Sequence, residues 1–129
     1  MEGSMLQQVL QDYKEGVGTF EKNLPKVARQ YRKFTEACFE EGVLSVKQKH
    51  LIALALGVMT NDEYCIIYHT KGALDQGADQ QEVLEAAAVS GAFGGGLAMS
   101  QAVTLVQEAL QEFRGDQTAA ADPGRTLEH

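Results

Sequence analysis

The 129-residue sequence predicts an all-α fold, a single domain of about six helices. Three observations carry that prediction. Apolar residues recur at three- and four-residue spacing almost throughout, and strict alternation is hard to find. Alanine, leucine and glutamine are plentiful while aromatics make up 7% and tryptophan is absent, which suits helices packed through small side chains. Helix-start and helix-stop residues fall between the periodic stretches. The length suffices for one real core and is short of two.

Leu6, Val9, Leu10 and Tyr13 sketch a first helix, with an interruption expected around Gly16 and Gly18. Leu24, Val27, Tyr31, Phe34 and Cys38 trace one stripe of a second, with Asn23 as its candidate cap and Pro25 in its first turn; Gly42 closes it. Ser45 with Gln48 forms a capping-box pattern that opens a third helix, running to about Met59. Asn61 or Asp62 caps a fourth, which ends at Gly77. Asp79 with Glu82 is a second capping-box pattern, starting a fifth helix toward Ala92. Gly94-Gly95-Gly96 should break or kink the chain before a last helix from Leu97 to Phe113. The domain is assigned to 1–116. Residues 117–129 read as a disordered tail, with Leu127-Glu128-His129 resembling a purification-tag remnant.

A net charge of −7 and a pI near 4.9 argue against nucleic acid as a partner, since that affinity rests on Lys and Arg clusters. Lys22, Lys26, Arg29, Arg32 and Lys33 read as a solvated helix face. The longest apolar run, Leu51–Met59, is far below the ~20 residues that span a bilayer, so no membrane association is expected. With no signal-peptide pattern at MEGSMLQQVL the protein is expected to be cytoplasmic, where two cysteines are more often free or catalytic than disulfide-bonded. The glycine run lacks the spacing of a nucleotide loop and reads mainly as room for a tight helix crossing.

The chemistry concentrates in NDEYCIIYHTKGAL, residues 61–74. On a helix, Asp62, Cys65 and His69 share one face at spacings of three and four, with Tyr68 beside Cys65 and Tyr64 a quarter-turn away. In the first turn, unpaired N–H groups favour a Cys65 thiolate, and so does a protonated His69. The Asp62 carboxylate opposes it unless engaged in capping. The same residues also fit plain packing: Cys65, followed by Ile66 and Ile67, as a small buried residue and His69 as a hydrogen-bonded core histidine. His50, Asp62, Cys65 and His69 are competent metal ligands, although one Cys among O and N donors is a weak signature.

LSVKQKHLIALALGV followed by NDEYCIIYHTKGALDQGADQQEVLEA resembles the carboxymuconolactone decarboxylase and AhpD-like alkylhydroperoxidase family, over roughly residues 20–113. The resemblance implies an all-helical AhpD-like bundle that assembles as a trimer, or as a hexamer built from dimers, with no metal and no cofactor. The redox branch of that family carries a Glu on one helix, then Cys-x-x-Cys-x-x-x-His at the start of the next. Here the second cysteine falls on Cys65 and the histidine on His69, while Asp62 stands for the first cysteine and His50 for the glutamate. The intrahelical disulfide of that branch therefore cannot form. The leading expectation is a thiol-dependent peroxidase acting through Cys65 with His69, assisted by His50 or Asp62, with Tyr64 and Tyr68 against the substrate. Its substrate would be a small peroxide and its reductant an external thiol. Cys38 is the other internal thiol, and its place on the apolar stripe favours packing. The alternatives are a carboxymuconolactone decarboxylase-like lyase using His50 or His69 on a lactone acid, and a non-catalytic oligomeric scaffold.

Overall fold

Helix ends set the architecture of this all-α chain, and most are capped by the residues next to them. The computed structural model describes the backbone of residues 4–120 and the side chains of residues 4–114. Helix α1 (Met5–Asn23) starts where Ser4 Oγ accepts the Gln7 N–H at 3.1 Å. It runs unbroken through Gly16 and Gly18, contrary to the interruption expected there. Each glycine weakens the helix by about 1 kcal/mol against alanine, less than breaking it and orphaning several backbone groups would cost. Asn23 does not cap the next helix; its amide turns back to the Thr19 carbonyl. Leu24 takes the cap position without a side-chain bond, and Pro25 opens α2 (Pro25–Cys38). That helix ends four residues before Gly42, and the chain leaves it through Phe39.

The expected capping box of Ser45 and Gln48 opens α3 (Val46–Thr60). Only Asn61, in the left-handed conformation (φ 59°), and Asp62 separate it from α4 (Glu63–Asp75), so α3 and α4 form a tight hairpin. Gly77 at φ 96° ends α4, with its N–H on the Leu74 carbonyl and that of Ala78 on Ala73. The second expected capping box, Asp79 with Glu82, opens α5 (Gln80–Gln101). The break forecast for the glycine run is a single residue, Gly95, at φ 66° and ψ −144°. A π-turn over Ala102–Val106 then leads into α6 (Gln107–Ala120). The first four residues of the expected tail, 117–120, thus continue α6, and 121–129 lie outside the described residues. By length and composition Gln80–Arg114 could cross a membrane, but the Gly95 break makes it two rods rather than one.

Helix α3 packs between α4 and α5, and α6 closes on α4. Leu54, Val58, Ile66, Ile67, Leu74, Val83 and Val106 are fully buried between them. Ser90 Oγ donates to the Ala55 carbonyl at 2.7 Å, which satisfies a hydroxyl buried between α3 and α5. Lys47 and Glu82 pair at 2.9 Å across the starts of the same two helices.

The α2 stripe does not enter this core. Tyr31 is 64% and Phe34 65% exposed, Cys38 is exposed, and Ala28 is the buried residue of the helix. Helical spacing identifies an apolar face, but not whether the covering surface belongs to the same chain. Ile52 and Leu56 on α3 and Phe93 and Leu97 on α5 are also exposed.

Candidate functional site

The start of α4, the first turns of α3, the exit of α2 and the middle of α1 meet around two separate pairs of polar groups. The first pair is local. The Asp62 carboxylate accepts the Cys65 backbone N–H at 3.1 Å and so caps α4. The same carboxylate also acts on the thiol, favouring its protonated form. Burial first, then the Asp62 side chain with its negative charge, push the Cys65 thiol up to about 11. The thiolate expected from a first-turn position is therefore not favoured. Burial dominates, and the N–H of Cys65 is already spent on a carboxylate whose charge opposes the thiolate.

The second pair is tertiary. His50 Nδ1 on α3 lies 2.9 Å from His69 Nδ1 on α4. Two facing ring nitrogens at that distance require that one carry the proton and the other accept it. Burial, reinforced by the charge of His50 and opposed by Asp62, holds His69 down to about 4. Burial lowers His50 as well, with Asp75 pulling the other way. Both rings are therefore neutral at pH 7. Phe39 lies parallel to His69 (centroids 5.4 Å, 4° between planes) and tilted against His50 at 5.2 Å.

Among the described residues no hydrogen bond joins Cys65 to His69; each is turned to another partner. The four residues singled out in the sequence thus resolve into Cys65 with Asp62 and His69 with His50. No three His, Cys, Asp or Glu side chains among the described residues converge closely enough to hold a metal ion.

A cavity of about 630 Å³ opens beside the histidine pair, and His50, Tyr64 and Tyr68 line it. Leu10, Tyr13, Lys14 and Val17 of α1 form another part of the wall, and Lys71, Gly72, Asp75 and Gln76 at the end of α4 complete it. Tyr13 stacks on Tyr64 (centroids 3.7 Å, 8° between planes) and Tyr64 on Tyr68 at 5.4 Å. Burial, and then neighbouring acidic groups, raise Tyr13 and Tyr64 above the ordinary phenol range, so both hydroxyls stay protonated donors. Asp75, the carboxylate of the lining, is paired with Lys71 at 2.9 Å. Cys65 and His69 are not part of the lining.

Sequence reasoning missed four residues here. Tyr13 and Phe39 come from elements whose approach to α4 leaves no local signal. Gly57 and Gly72 did leave one, as isolated glycines inside helical patterns. A Cβ at Gly57 would lie 3.0 Å from that of Cys65, and one at Gly72 would lie 2.6 Å from the His50 ring.

Comparison with known proteins places this geometry among relatives. The profile of the Carboxymuconolactone decarboxylase family matches residues 25–108. A crystal structure of a carboxymuconolactone decarboxylase family protein from Legionella pneumophila superposes with a TM-score of 0.81 at 27% identity, over 86% of this chain and 98% of that one. A family protein from Thermotoga maritima, for which a part in an antioxidative response has been suggested, superposes with a TM-score of 0.71. At 22% identity, over 95% of this chain and 99% of that one, it bears on the fold alone. The uncharacterized protein 4 of the cox locus in Paracoccus denitrificans is 34% identical over 68 residues, 53% of this chain and 61% of that protein. An uncharacterized protein of Cupriavidus necator is 31% identical over 72 residues, 56% of this chain and 64% of its own length. The chain thus spans roughly three fifths of these curated relatives.

Proposed function

Because this chain belongs to the carboxymuconolactone decarboxylase family, we propose that it is a family enzyme working by proton transfer, a decarboxylase-like lyase acting on a small unsaturated acid. The observation that carries this reading is the 2.9 Å contact between His50 Nδ1 and His69 Nδ1, with His50 in the cavity wall. With Nδ1 engaged, Nε2 is the ring nitrogen left to exchange a proton with a ligand. His69, buried and held neutral, orients the ring and fixes its tautomer. In a decarboxylation the carboxylate leaves as CO2, its bonding pair passes into the conjugated lactone as a dienolate, and the carbon alpha to the lactone carbonyl takes the proton that His50 carries. The protonated Tyr13 and Tyr64 hydroxyls suit a ligand rich in acceptors. The test follows loss of carboxymuconolactone absorbance together with CO2 release. His50→Gln should abolish turnover and Cys65→Ser should leave it; a wild-type protein that does not turn the lactone over refutes the reading.

One observation favours a second reading, thiol-dependent peroxide reduction. The Asp62 carboxylate that acts on the Cys65 thiol is placed to take the proton as sulfur attacks the peroxide. The O–O bond breaks, Cys65 becomes a sulfenic acid, the alcohol or water leaves, and an external thiol returns the cysteine in two steps. At a thiol pKa of about 11, however, only about one thiol in 10⁴ is ionised at pH 7, which ranks this reading second. Peroxide consumption lost in Cys65→Ser would promote it. If neither substrate is consumed, a scaffold that has kept the fold without the chemistry is what remains.

The exposed apolar faces around Tyr31 and Phe34, and around Phe93 and Leu97, fit a homo-oligomer, a trimer or a hexamer built from dimers. Two free cysteines fit a reducing cytoplasm.

A further inference from the structure

We infer that Gly72 is a positioning residue: its missing side chain is the seat on which the His50 imidazole lies, and that seat brings the ring to His69. A Cβ added at Gly72 would stand 2.6 Å from both Cε1 and Nδ1 of His50 and 3.0 Å from Nε2. Three ring atoms at such distances mean that the imidazole rests flat on the backbone of α4. Gly16, Gly18 and Gly96 have open space in the same position, and Gly57 meets Cys65 and the backbone of Ile66 instead. A glycine three residues from the end of a 13-residue helix weakens it relative to alanine, so its place here calls for a packing reason.

Three rings bound the imidazole on its other sides, while its remaining edge faces the cavity. Phe39 stands against it at 5.2 Å, Tyr68 at 6.2 Å and His69 at 5.1 Å between centroids. A methyl group at Gly72 would lift the imidazole off α4, and the 2.9 Å contact to His69 Nδ1 would be the first bond lost. Gly72 also lines the cavity, so the same missing side chain leaves space beside His50.

The inference depends on the acid–base reading only for its bearing on rate. Its test therefore uses ¹⁵N-labelled histidine spectra and needs no turnover, so a failed lactone assay and a failed seat are distinguishable. Wild-type protein should show one downfield Nδ1–H resonance from the histidine pair, and His69 should stay neutral down to about pH 4. Gly72→Ala should lose that resonance and move the His69 titration upward, because the neighbouring His50 charge that depresses it has been displaced. A resonance and titration unchanged in Gly72→Ala would overturn the inference. Thermal melting guards against a simple folding defect. In a His50→Ala background the seat is empty, so Gly72→Ala should raise the melting midpoint there, while giving no such gain in wild type. An equal gain in both backgrounds, or a loss in both, would also overturn it.

Discussion

Replacing Asp62 by asparagine isolates the contact that keeps the Cys65 thiol protonated. Asparagine caps a helix about as well as aspartate, so the Cys65 N–H keeps an acceptor and α4 keeps its start. The carboxylate charge, with its claim on the thiol proton, is lost. Burial is the largest cause of the raised thiol and is untouched by the substitution, so the recovery is partial, about one pKa unit. At pH 7 that raises the thiolate fraction about tenfold. A less basic thiolate is also a poorer nucleophile, with a Brønsted slope near 0.5, so alkylation should accelerate only about threefold. The assay is iodoacetamide labelling between pH 6 and 11, read by peptide mass, with exposed Cys38 as the internal reference. The Cys65 profile should shift to lower pH while that of Cys38 stays. An unchanged Cys65 profile would show that Asp62 does not hold the thiol proton, and the two-pair description of the site would fail with it.

Stability should fall as pH drops from about 6.5 to about 4, the window between the unfolded and folded values of His69. The sign follows from the depressed folded value: in that window the unfolded chain binds more protons, so protonation favours unfolding. After allowance for solvent screening of a part-exposed ring the loss is on the order of 1–2 kcal/mol, and urea titrations at pH 7 and pH 4 should differ by that amount less other groups' contributions, with His69→Gln removing the difference. Gly57→Ala should destabilise by about 1–3 kcal/mol, because the new methyl would stand 3.0 Å from Cys65 Cβ and 3.3 Å from the Ile66 backbone nitrogen in the α3–α4 hairpin; an unchanged denaturation midpoint would contradict it. Ser90→Ala should cost about 1 kcal/mol, since the Ala55 carbonyl keeps its helical position and loses its 2.7 Å partner. Phe93→Lys should shift the protein toward monomer in sedimentation or light scattering, as a charge would enter a face where Phe93 is 78% exposed in the single chain. A wild-type protein that is already monomeric at micromolar concentration would count against the proposed assembly.

Much of the fold was legible because its determinants are local. Ser45 with Gln48, Asp79 with Glu82, Asp62 before Cys65 and Gly77 after Leu74 all act within five residues, and the structure uses each at the expected helix end. Where two local signals competed, sequence reasoning misjudged the outcome. Gly16 and Gly18 suggested a break, but the intact hydrogen bonding of α1 outweighs their weak propensity.

The sequence by itself determined the helical class, most helix boundaries, the family resemblance, and the placing of Asp62, Cys65 and His69 near one helix start with His50 on the helix before it. Tertiary structure decided who pairs with whom. Spacing of four within α4 made Cys65 and His69 neighbours, yet His69 turns to a ring 19 residues away in sequence, which lies over Gly72 and against Phe39. Cys65 turns to Asp62, whose dual role as cap and proton acceptor depends on distances that sequence spacing permits but does not impose. The same holds for the apolar stripes: periodicity marks a face as apolar, and only packing decides whether this chain covers it.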